Sequence, residues 1–161
     1  MNGLHDAGVL FRENCAAAER IHARLQTSIG RVAPLFPLDA TRLEALDENA
    51  TERIDALLKR FEQLEDIVDN RIHRGILLLE RERLSEMSRR DVADRLEKLG
   101  AIASSDRWWE IAGARHRLVH EYPLDAERRA ERLNGTFRAA IALMGHYVEV
   151  MQWARGRGHL L

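Results

Sequence analysis

The segment "LEALDENATERIDALLKRFEQLEDIV", residues 43–68, decides the fold class of this chain. Its apolar residues recur every three or four positions, which is the period of one face of an α-helix. This apolar face consists of Leu43, Leu46, Ala50, Ile54, Leu57, Phe61, Leu64 and Val68. The opposite face is acidic. We therefore predict one long amphipathic helix over this segment, with a kink where Asp69 and Asn70 follow it.

The first half of the chain otherwise carries helical patterns as well. Alternating apolar and polar residues, the pattern of β-strands joined in hairpins, are missing. We predict a first helix over Asp6–Ile29, which Gly30, Pro34 and Pro37 interrupt. After the kink, the run Ile76–Leu79 is apolar throughout, so we predict that it is deeply buried.

Capping residues mark two helices in the second half of the chain. Ser88, with Asp91 three residues later, predicts a capped helix start, and Gly100 predicts the end of that helix. A Ser/Asp cap within residues 104–106 predicts the next helix. We expect that helix to reach Pro123, which cannot continue it.

A final helix begins after Asp125, which is a favourable N-cap residue. We assign its apolar stripe to the core; the stripe consists of Leu133, Phe137, Ile141, Met144, Val148 and Met151. The last residues, "RGRGHLL" (155–161), predict a frayed tail.

Long helices joined by short loops are typical of an antiparallel bundle. We therefore predict an all-α fold of four to six helices in a single domain spanning residues 1–161. Within it, residues 1–38 form the N-terminal helix and loop, residues 39–153 form the bundle, and residues 154–161 form the tail.

Composition excludes several classes of protein. The chain is 45% hydrophobic and 32% charged, which is typical of a folded globular domain. Its net charge of −1 gives no overall positive field, although 23 of its 25 basic residues are arginine. It lacks a signal-peptide pattern and any apolar run near the roughly 18 residues of a membrane span. We expect a cytoplasmic protein, and the single Cys15 excludes an internal disulfide.

The stretch "ARHRLVHEYP", residues 114–123, concentrates groups that can handle protons or phosphate. One interpretation is a metal site, because His116 and His120 are four residues apart on one helix face. Arg115 and Arg117 would repel a cation there, and a zinc-protease motif would need glutamate where Arg117 stands. We therefore expect no metal.

A second interpretation of this stretch is structural. The side chains at i, i+3, i+4 and i+7 form one helix stripe, which consists of Arg115, Leu118, Val119 and Tyr122. In this interpretation, His120 caps the C-terminal end of the helix, where a positive charge interacts favourably with the helix dipole.

A third interpretation concerns the spacing of Arg115, His120 and Tyr122. It resembles the R-x-x-x-x-H-x-Y signature of HEPN domains, small helical bundles, and in particular the HepT toxins of HepT–MntA toxin–antitoxin pairs. The stretch "DVADRLEKLGAIASSDRWWEIAGARHRLVHEYP", residues 91–123, is similar to the family's approach to this motif. We extend the likeness over Asp39–Trp153. The family commonly has asparagine where this chain has His116.

The resemblance implies metal-independent RNA cleavage without a cofactor. Histidine titrates near neutral pH and arginine can bind two phosphate oxygens. The catalytic residues would be His120, as base and then acid, and Arg115, as the phosphate ligand; the RNA product would end in a 2′,3′-cyclic phosphate. His116, Glu121 and Tyr122 would support them, although Glu121 is expected to face solvent.

The resemblance also implies a regulatory partner. In HepT-like toxins the motif tyrosine accepts AMP from an MntA-type nucleotidyltransferase, which is the antitoxin. Tyr122 would be that acceptor here. A bulky, negatively charged adenylate beside Arg115 should block RNA.

Helix geometry sets a condition on this site. Five residues at about 100° each place Arg115 and His120 about 140° apart around a regular helix. Either the helix ends near His120 and the backbone turns, or the cleft forms between two copies of the chain. In HEPN proteins the motif commonly lies at a homodimer interface, so we expect a homodimer. Two other functions stay open: a non-catalytic HEPN-type adaptor of a nucleotidyltransferase, and a purely structural helical dimer.

Aromatic residues outside the motif have simpler expected roles. Trp108 and Trp109 are adjacent and cannot face the same way, so we predict one in the core and the other at a subunit interface. The remaining histidines are expected to be structural or on the surface; they are His5, His22, His73, His146 and His159.

Overall fold

The computed structural model describes residues 2–161, with side chains from residue 3, and contains α-helices and no strand within that range. The α-helices are α1 (Asn2–Val32), α2 (Ala40–Glu44), α3 (Glu48–Ile67), α4 (Arg74–Leu79), α5 (Arg89–Leu99), α6 (Ser105–His120) and α7 (Ala126–Gly156). A 3₁₀ turn at Ala33–Leu35 follows α1, and a π turn at Val68–His73 joins α3 to α4. The predicted all-α fold is confirmed.

Helices α1 and α3–α4 pack side by side in opposite directions. Arg60 in α3 donates a hydrogen bond to Ser28 near the end of α1, while Gly75 in α4 lies against Phe11 near its start. Helix α1 is therefore part of the same core as the later helices and buries residues such as Phe11 and Leu25.

Helices α6 and α7 form an antiparallel hairpin. Trp108 near the start of α6 stacks on His146 in α7. At the other end of the hairpin, Arg132 donates a hydrogen bond to the backbone carbonyl of Glu121. The five residues between the two helices are enough to reverse the chain direction.

The first predicted helix is longer than expected. Helix α1 runs from Asn2 to Val32 and passes through Gly30, which is exposed. A single glycine costs an exposed helix only about 1 kcal/mol, and the packing of α1 along α3 outweighs that cost. The interruption begins at Ala33, where Pro34 lies within the 3₁₀ turn.

The long helix predicted over residues 43–68 is divided near its start. Asp47 is the N-cap of α3, and its side chain accepts a hydrogen bond from the backbone N–H of Ala50 at 2.7 Å. Leu43 and Leu46 therefore precede α3, and the prediction of one continuous helix is wrong there. Capping side chains compete with helix continuation because they satisfy the first free N–H groups.

At the predicted kink, Asp69 and Asn70 lie in the π turn Val68–His73, which interrupts the regular α-helix. Such wide turns are usually short insertions in α-helices. Because α3, the π turn and α4 follow one another without a gap, they form one long helical rod. The bundle then has six helical segments, within the predicted range of four to six.

The predicted caps of the later helices are confirmed. Ser88 and Asp91 form a reciprocal capping box, and Gly100 adopts a φ of 77° at the end of α5. Asp125 caps α7 by accepting from the backbone N–H of Arg128 at 2.8 Å. Helix α6 ends at His120, three residues before Pro123, since a residue that precedes proline is pushed toward extended backbone.

Two predictions of core residues are only partly right. Ile76 and Leu77 are fully buried, but Leu78 is 46% exposed because α4 is amphipathic and not buried on all sides. On α7, Leu133 and Met151 are buried, whereas Ile141 and Val148 are on the surface. The buried face of α7 instead includes Ala139, Ala140, Leu143, Val150 and Ala154.

The C-terminal tail is packed, contrary to the predicted fraying. Helix α7 continues to Gly156. Arg157 and His159 then contact the carboxylate of Glu80 at 3.0 Å and 2.7 Å. Leu160 packs against the core. No helix within residues 2–161 has the length and apolar character needed to cross a bilayer.

Candidate functional site

Arg115 and His120 of the Arg-x4-His-x-Tyr motif lie in the last turns of α6, and Tyr122 lies just beyond its end. Ser104 caps the start of α6 by accepting from the backbone N–H of Arg107 at 3.2 Å. Trp108 and Leu118 anchor its inner face, since both are buried. This anchoring fixes which way the residues between and beyond them point.

Arg115 lies against a buried carboxylate on α3. Its Nε atom is 3.5 Å from Oε2 of Glu65, whose side chain is only 2% exposed. The buried Nε–H forms no hydrogen bond, so the contact is a charge interaction without the alignment that a hydrogen bond needs. The Arg115 side chain is 30% exposed, and part of it therefore stays open to a ligand.

Arg89, at the start of α5, binds the same carboxylate. Its Nη2 donates to Oε1 of Glu65 at 3.1 Å, and its Nε donates to Oδ2 of Asp69 at 2.8 Å. The indole N–H of Trp108 also donates to Asp69, at 3.3 Å. We call Glu65, Asp69, Arg89 and Trp108 the Glu65 network; it connects α3, the π turn, α5 and α6 behind Arg115.

Glu65 titrates near neutral pH in this environment. Burial, and to a smaller extent the neighbouring Asp69, raise the pKa of Glu65 to about 7 against the opposing charges of Arg89 and Arg115. A buried carboxyl loses hydration that the charged form needs. The charge that holds Arg115 therefore changes within the physiological pH range.

The π turn keeps the acidic residues of the network on one side. In a regular α-helix, side chains four residues apart drift by about 40° per step. The wider π turn reduces this drift. Asp69 and His73 consequently stay on the buried side together with Glu65, and all three are less than 5% exposed.

His116 and His120 lie together on the outer face of α6. Their ring centroids are 4.6 Å apart, with a tilt of 47°, and both residues are exposed. No hydrogen bond or ion pair among the described residues joins Arg115 to His120. Helix α6 does end at His120, but that ending leaves the histidine beside His116, so a single chain does not bring the two predicted catalytic groups into contact.

Tyr122 and Glu121 follow α6 in extended and loop conformation. Tyr122 is 79% exposed, and its hydroxyl donates to the backbone carbonyl of Val119 at 3.0 Å. Glu121 is exposed, as expected, and its backbone N–H bonds to Arg117 in the last turn of α6. The phenol ring is therefore accessible from solvent.

An open groove of about 650 Å³ lies between α6 and α7, next to Tyr122. Its lining includes Tyr122 and four arginines, which are Arg117, Arg128, Arg132 and Arg138. The sequence pattern does not mark these arginines as a set, because they alternate with acids and lie on two helices. The tertiary structure brings them to one side of the hairpin.

Two histidines lie deeper in the core. The Nε2 atoms of His73 and His146 are 2.9 Å apart, and Trp108 contacts both rings. Burial lowers the pKa of His146 to about 4 and the pKa of His73 well below its usual value. Both rings are therefore neutral at pH 7, and one donates its N–H to the other. The two residues have the structural role expected of them.

Trp108 is the tryptophan that enters the core, while Trp109 is 43% exposed.

The Glu65 network was missed by sequence reasoning. One signal could have revealed it: Glu65 directly follows Leu64 and lies four residues after Phe61, on the apolar face of α3. A charged residue on a buried face needs a partner of opposite charge. The identity of that partner depends on the packing of α5 and α6, which the local pattern does not contain.

No group of three or more His, Cys, Asp or Glu side chains within residues 2–161 is placed to hold a metal ion. Comparison with known family models, curated proteins and solved structures gives no match. The interpretation of the site therefore depends on its residues and their geometry.

Proposed function

We propose that the protein is a metal-independent endoribonuclease of the HEPN type, the cytoplasmic toxin of a HepT–MntA-like toxin–antitoxin pair. One observation carries the proposal: Arg115 is held by the buried carboxyl of Glu65 at 3.5 Å, near the end of a helix that exposes His120. Tyr122 completes the motif spacing from the adjoining loop. The charge contact with Glu65 keeps the guanidinium group of Arg115 near the end of α6, where it can bind a phosphate.

The chemistry needs only side chains of the protein itself. His120 takes the proton of a ribose 2′-OH while the 2′ oxygen bonds to phosphorus. The bond from phosphorus to the 5′ oxygen breaks, and that oxygen takes a proton from a protonated histidine. Arg115 neutralises the charge that develops on the phosphoryl oxygens. The products are a 2′,3′-cyclic phosphate and a 5′-OH.

The separation of Arg115 and His120 within one chain supports a site shared by two chains. In a symmetric dimer the same surface of each subunit faces its partner, so each residue appears twice at the interface. Arg115 of one subunit then approaches His120 of the other. The homodimer is part of the proposal for this reason.

Tyr122 is the proposed regulatory residue. Its exposed ring next to the motif is accessible to an MntA-type nucleotidyltransferase, the proposed antitoxin. Transfer of AMP to its hydroxyl would place a phosphate and a nucleoside beside the RNA site. Negative charge there repels an RNA phosphate, and the added bulk occupies its space.

The test is cleavage of RNA by purified variants. Arg115→Ala and His120→Ala should each lower the cleavage rate by roughly 100-fold or more and should abolish growth inhibition on expression in bacteria. Arg129→Ala and His5→Ala, exposed residues of the same types, are the matched controls and should retain activity. Thermal melting should show that all four variants fold. Full cleavage and toxicity in both motif variants would contradict the proposal.

A second function is a non-catalytic HEPN-type adaptor of a nucleotidyltransferase. The separation of Arg115 from His120 in one chain favours it if no dimer forms. Pure protein that binds the nucleotidyltransferase and RNA but leaves the RNA intact would establish this second function in place of the first.

A further inference from the structure

The arginine groove between α6 and α7 lies beside the proposed catalytic residues without being part of them. Four arginines and two acids, Glu121 and Glu131, line it, so the formal charge of its ionisable lining is +2. The chain as a whole carries −1. Positive charge is therefore concentrated here by the fold, since the overall composition does not supply it.

The four arginines of the groove differ in how they are engaged. Arg128 lies 3.6 Å from the carboxylate of Asp125, and Arg132 donates to the carbonyl of Glu121. Arg117 and Arg138 form no ion pair and no side-chain hydrogen bond within residues 2–161. Both are exposed. Their guanidinium groups are thus available to an incoming anion.

Arg117 and Arg138 also occupy the middle of a longer channel. A second hollow of about 690 Å³ continues from the first along the hairpin. Both hollows are lined by Arg117 and Arg138, and between them by Ala114 and Gly135. Small residues at these positions let an extended chain approach the two helices closely.

The channel adjoins the motif on the surface of α6. Arg117 precedes His120 by three residues, which places the two side chains about 60° apart around the helix. Arg115 is further from His120, at about 140°. A strand positioned at His120 can therefore continue across Arg117 into the groove.

We propose that this groove binds the sugar–phosphate backbone of single-stranded RNA on the nucleotides next to the cleaved one, through Arg117 and Arg138. The inference rests on the proposed ribonuclease function and extends it. Arginine presents a planar fork that matches two phosphate oxygens. Grooves with positive charge that follow the backbone bind single strands with little sequence preference.

The experiment measures RNA binding without cleavage, in the His120→Ala background. Fluorescence anisotropy with a labelled single-stranded RNA oligonucleotide gives the affinity at several salt concentrations. Adding Arg117→Gln and Arg138→Gln should weaken binding by roughly tenfold at low salt, and should reduce the slope of log affinity against log salt by about 0.7 for each phosphate that is no longer neutralised. The matched control carries Arg20→Gln and Arg129→Gln, two exposed arginines outside the groove, and should keep the slope.

Each other outcome is decisive. Equal affinity and slope in the groove and control variants would overturn the proposal, as would no RNA binding by the parent. Light scattering on the same samples shows whether the groove substitutions break a dimer. If the groove variant becomes a monomer while its salt slope stays unchanged, the groove is a subunit contact, and the RNA-binding proposal is also overturned. If RNA binds through the groove but the protein with His120 intact does not cut it, the ribonuclease function fails and the groove stands. If the protein with His120 intact cuts RNA but the groove variant binds RNA as tightly as its parent, the ribonuclease function stands and the groove proposal fails.

Discussion

At the scale of single residues, the proposed function depends most on the contact between Arg115 and Glu65. The motif spacing identified Arg115 from sequence, and the structure adds the carboxyl that holds it. Arg89 and Asp69 connect the same carboxyl to α5 and the π turn. Removing Glu65 alone should therefore affect the position of Arg115 as well as the stability of the core.

The raised pKa of Glu65 predicts a pH-dependent stability. Its folded pKa, about 7, lies above the ordinary value of 4.5. The neutral form is thus favoured by folding, so its contribution is complete below pH 4.5 and is lost as pH rises through 7. The unfolding free energy of the parent, minus that of Glu65→Gln, should fall by about 2 kcal/mol between pH 5 and pH 8. Urea unfolding at both pH values measures it.

Glu52→Gln is the matched control for this prediction, because Glu52 is an exposed glutamate on the same helix. Its stability difference from the parent should be the same at pH 5 and pH 8. A difference for Glu65→Gln that is equally independent of pH would show that Glu65 has an ordinary pKa in the folded protein.

At the scale of helices, side-chain caps and close packing decide where each element begins and ends. The capping box of Ser88 and Asp91 and the N-cap Asp125 could be predicted because a cap is a local arrangement of a few residues. Asp47 has the same role at the start of α3, but the apolar pattern continues across it and concealed the break. The apolar pattern predicts a continuous helix at Asp47, whereas the cap predicts the start of a helix. The structure has the helix start.

Among the glycines of the described residues, Gly75 in α4 has the least space for a side chain, because it lies against Phe11 of α1. A Cβ atom at this position would lie 2.7 Å from Cδ2 of Phe11, a ring that is buried in the core and only 1% exposed. Gly75→Ala should therefore destabilise the protein by about 1–3 kcal/mol, despite the better helix propensity of alanine. Chemical denaturation measures the change.

Gly30→Ala tests the same substitution where space is open. Gly30 is an exposed helical residue, and a Cβ atom added to it would meet nothing within 4 Å. Its replacement should stabilise the protein by about 0.5–1 kcal/mol. If both variants changed stability in the same direction, Phe11 would not limit the space at Gly75.

At the scale of the whole molecule, antiparallel packing brings distant segments of sequence together. Glu65 and Arg115 are 50 residues apart, and they are in contact in the candidate site. The tail at Arg157 and His159 returns to Glu80 at the end of α4. In contrast, Arg115 and His120 are close in sequence but occupy different faces of α6.

The proposed shared site predicts complementation between inactive chains. Arg115→Ala and His120→Ala proteins, unfolded together and refolded, should form mixed dimers in which one site holds an intact Arg115 from one chain and an intact His120 from the other. Random assembly should then restore roughly a quarter of the parental cleavage rate. Each variant refolded alone should stay inactive. A mixture that is no more active than its components would contradict a site shared between two chains.

The sequence by itself determined the helical class, most caps, the interruption of regular α-helix after α3 and the spacing of Arg115, His120 and Tyr122, because each depends on residues within a few turns of one another. It did not determine the burial of Glu65, the separation of Ile141 and Val148 from the core, or the packed tail. Those features depend on which helix faces which. The same is true of the arginine groove, since its charges come from opposite sides of a hairpin and meet only when α6 and α7 pack.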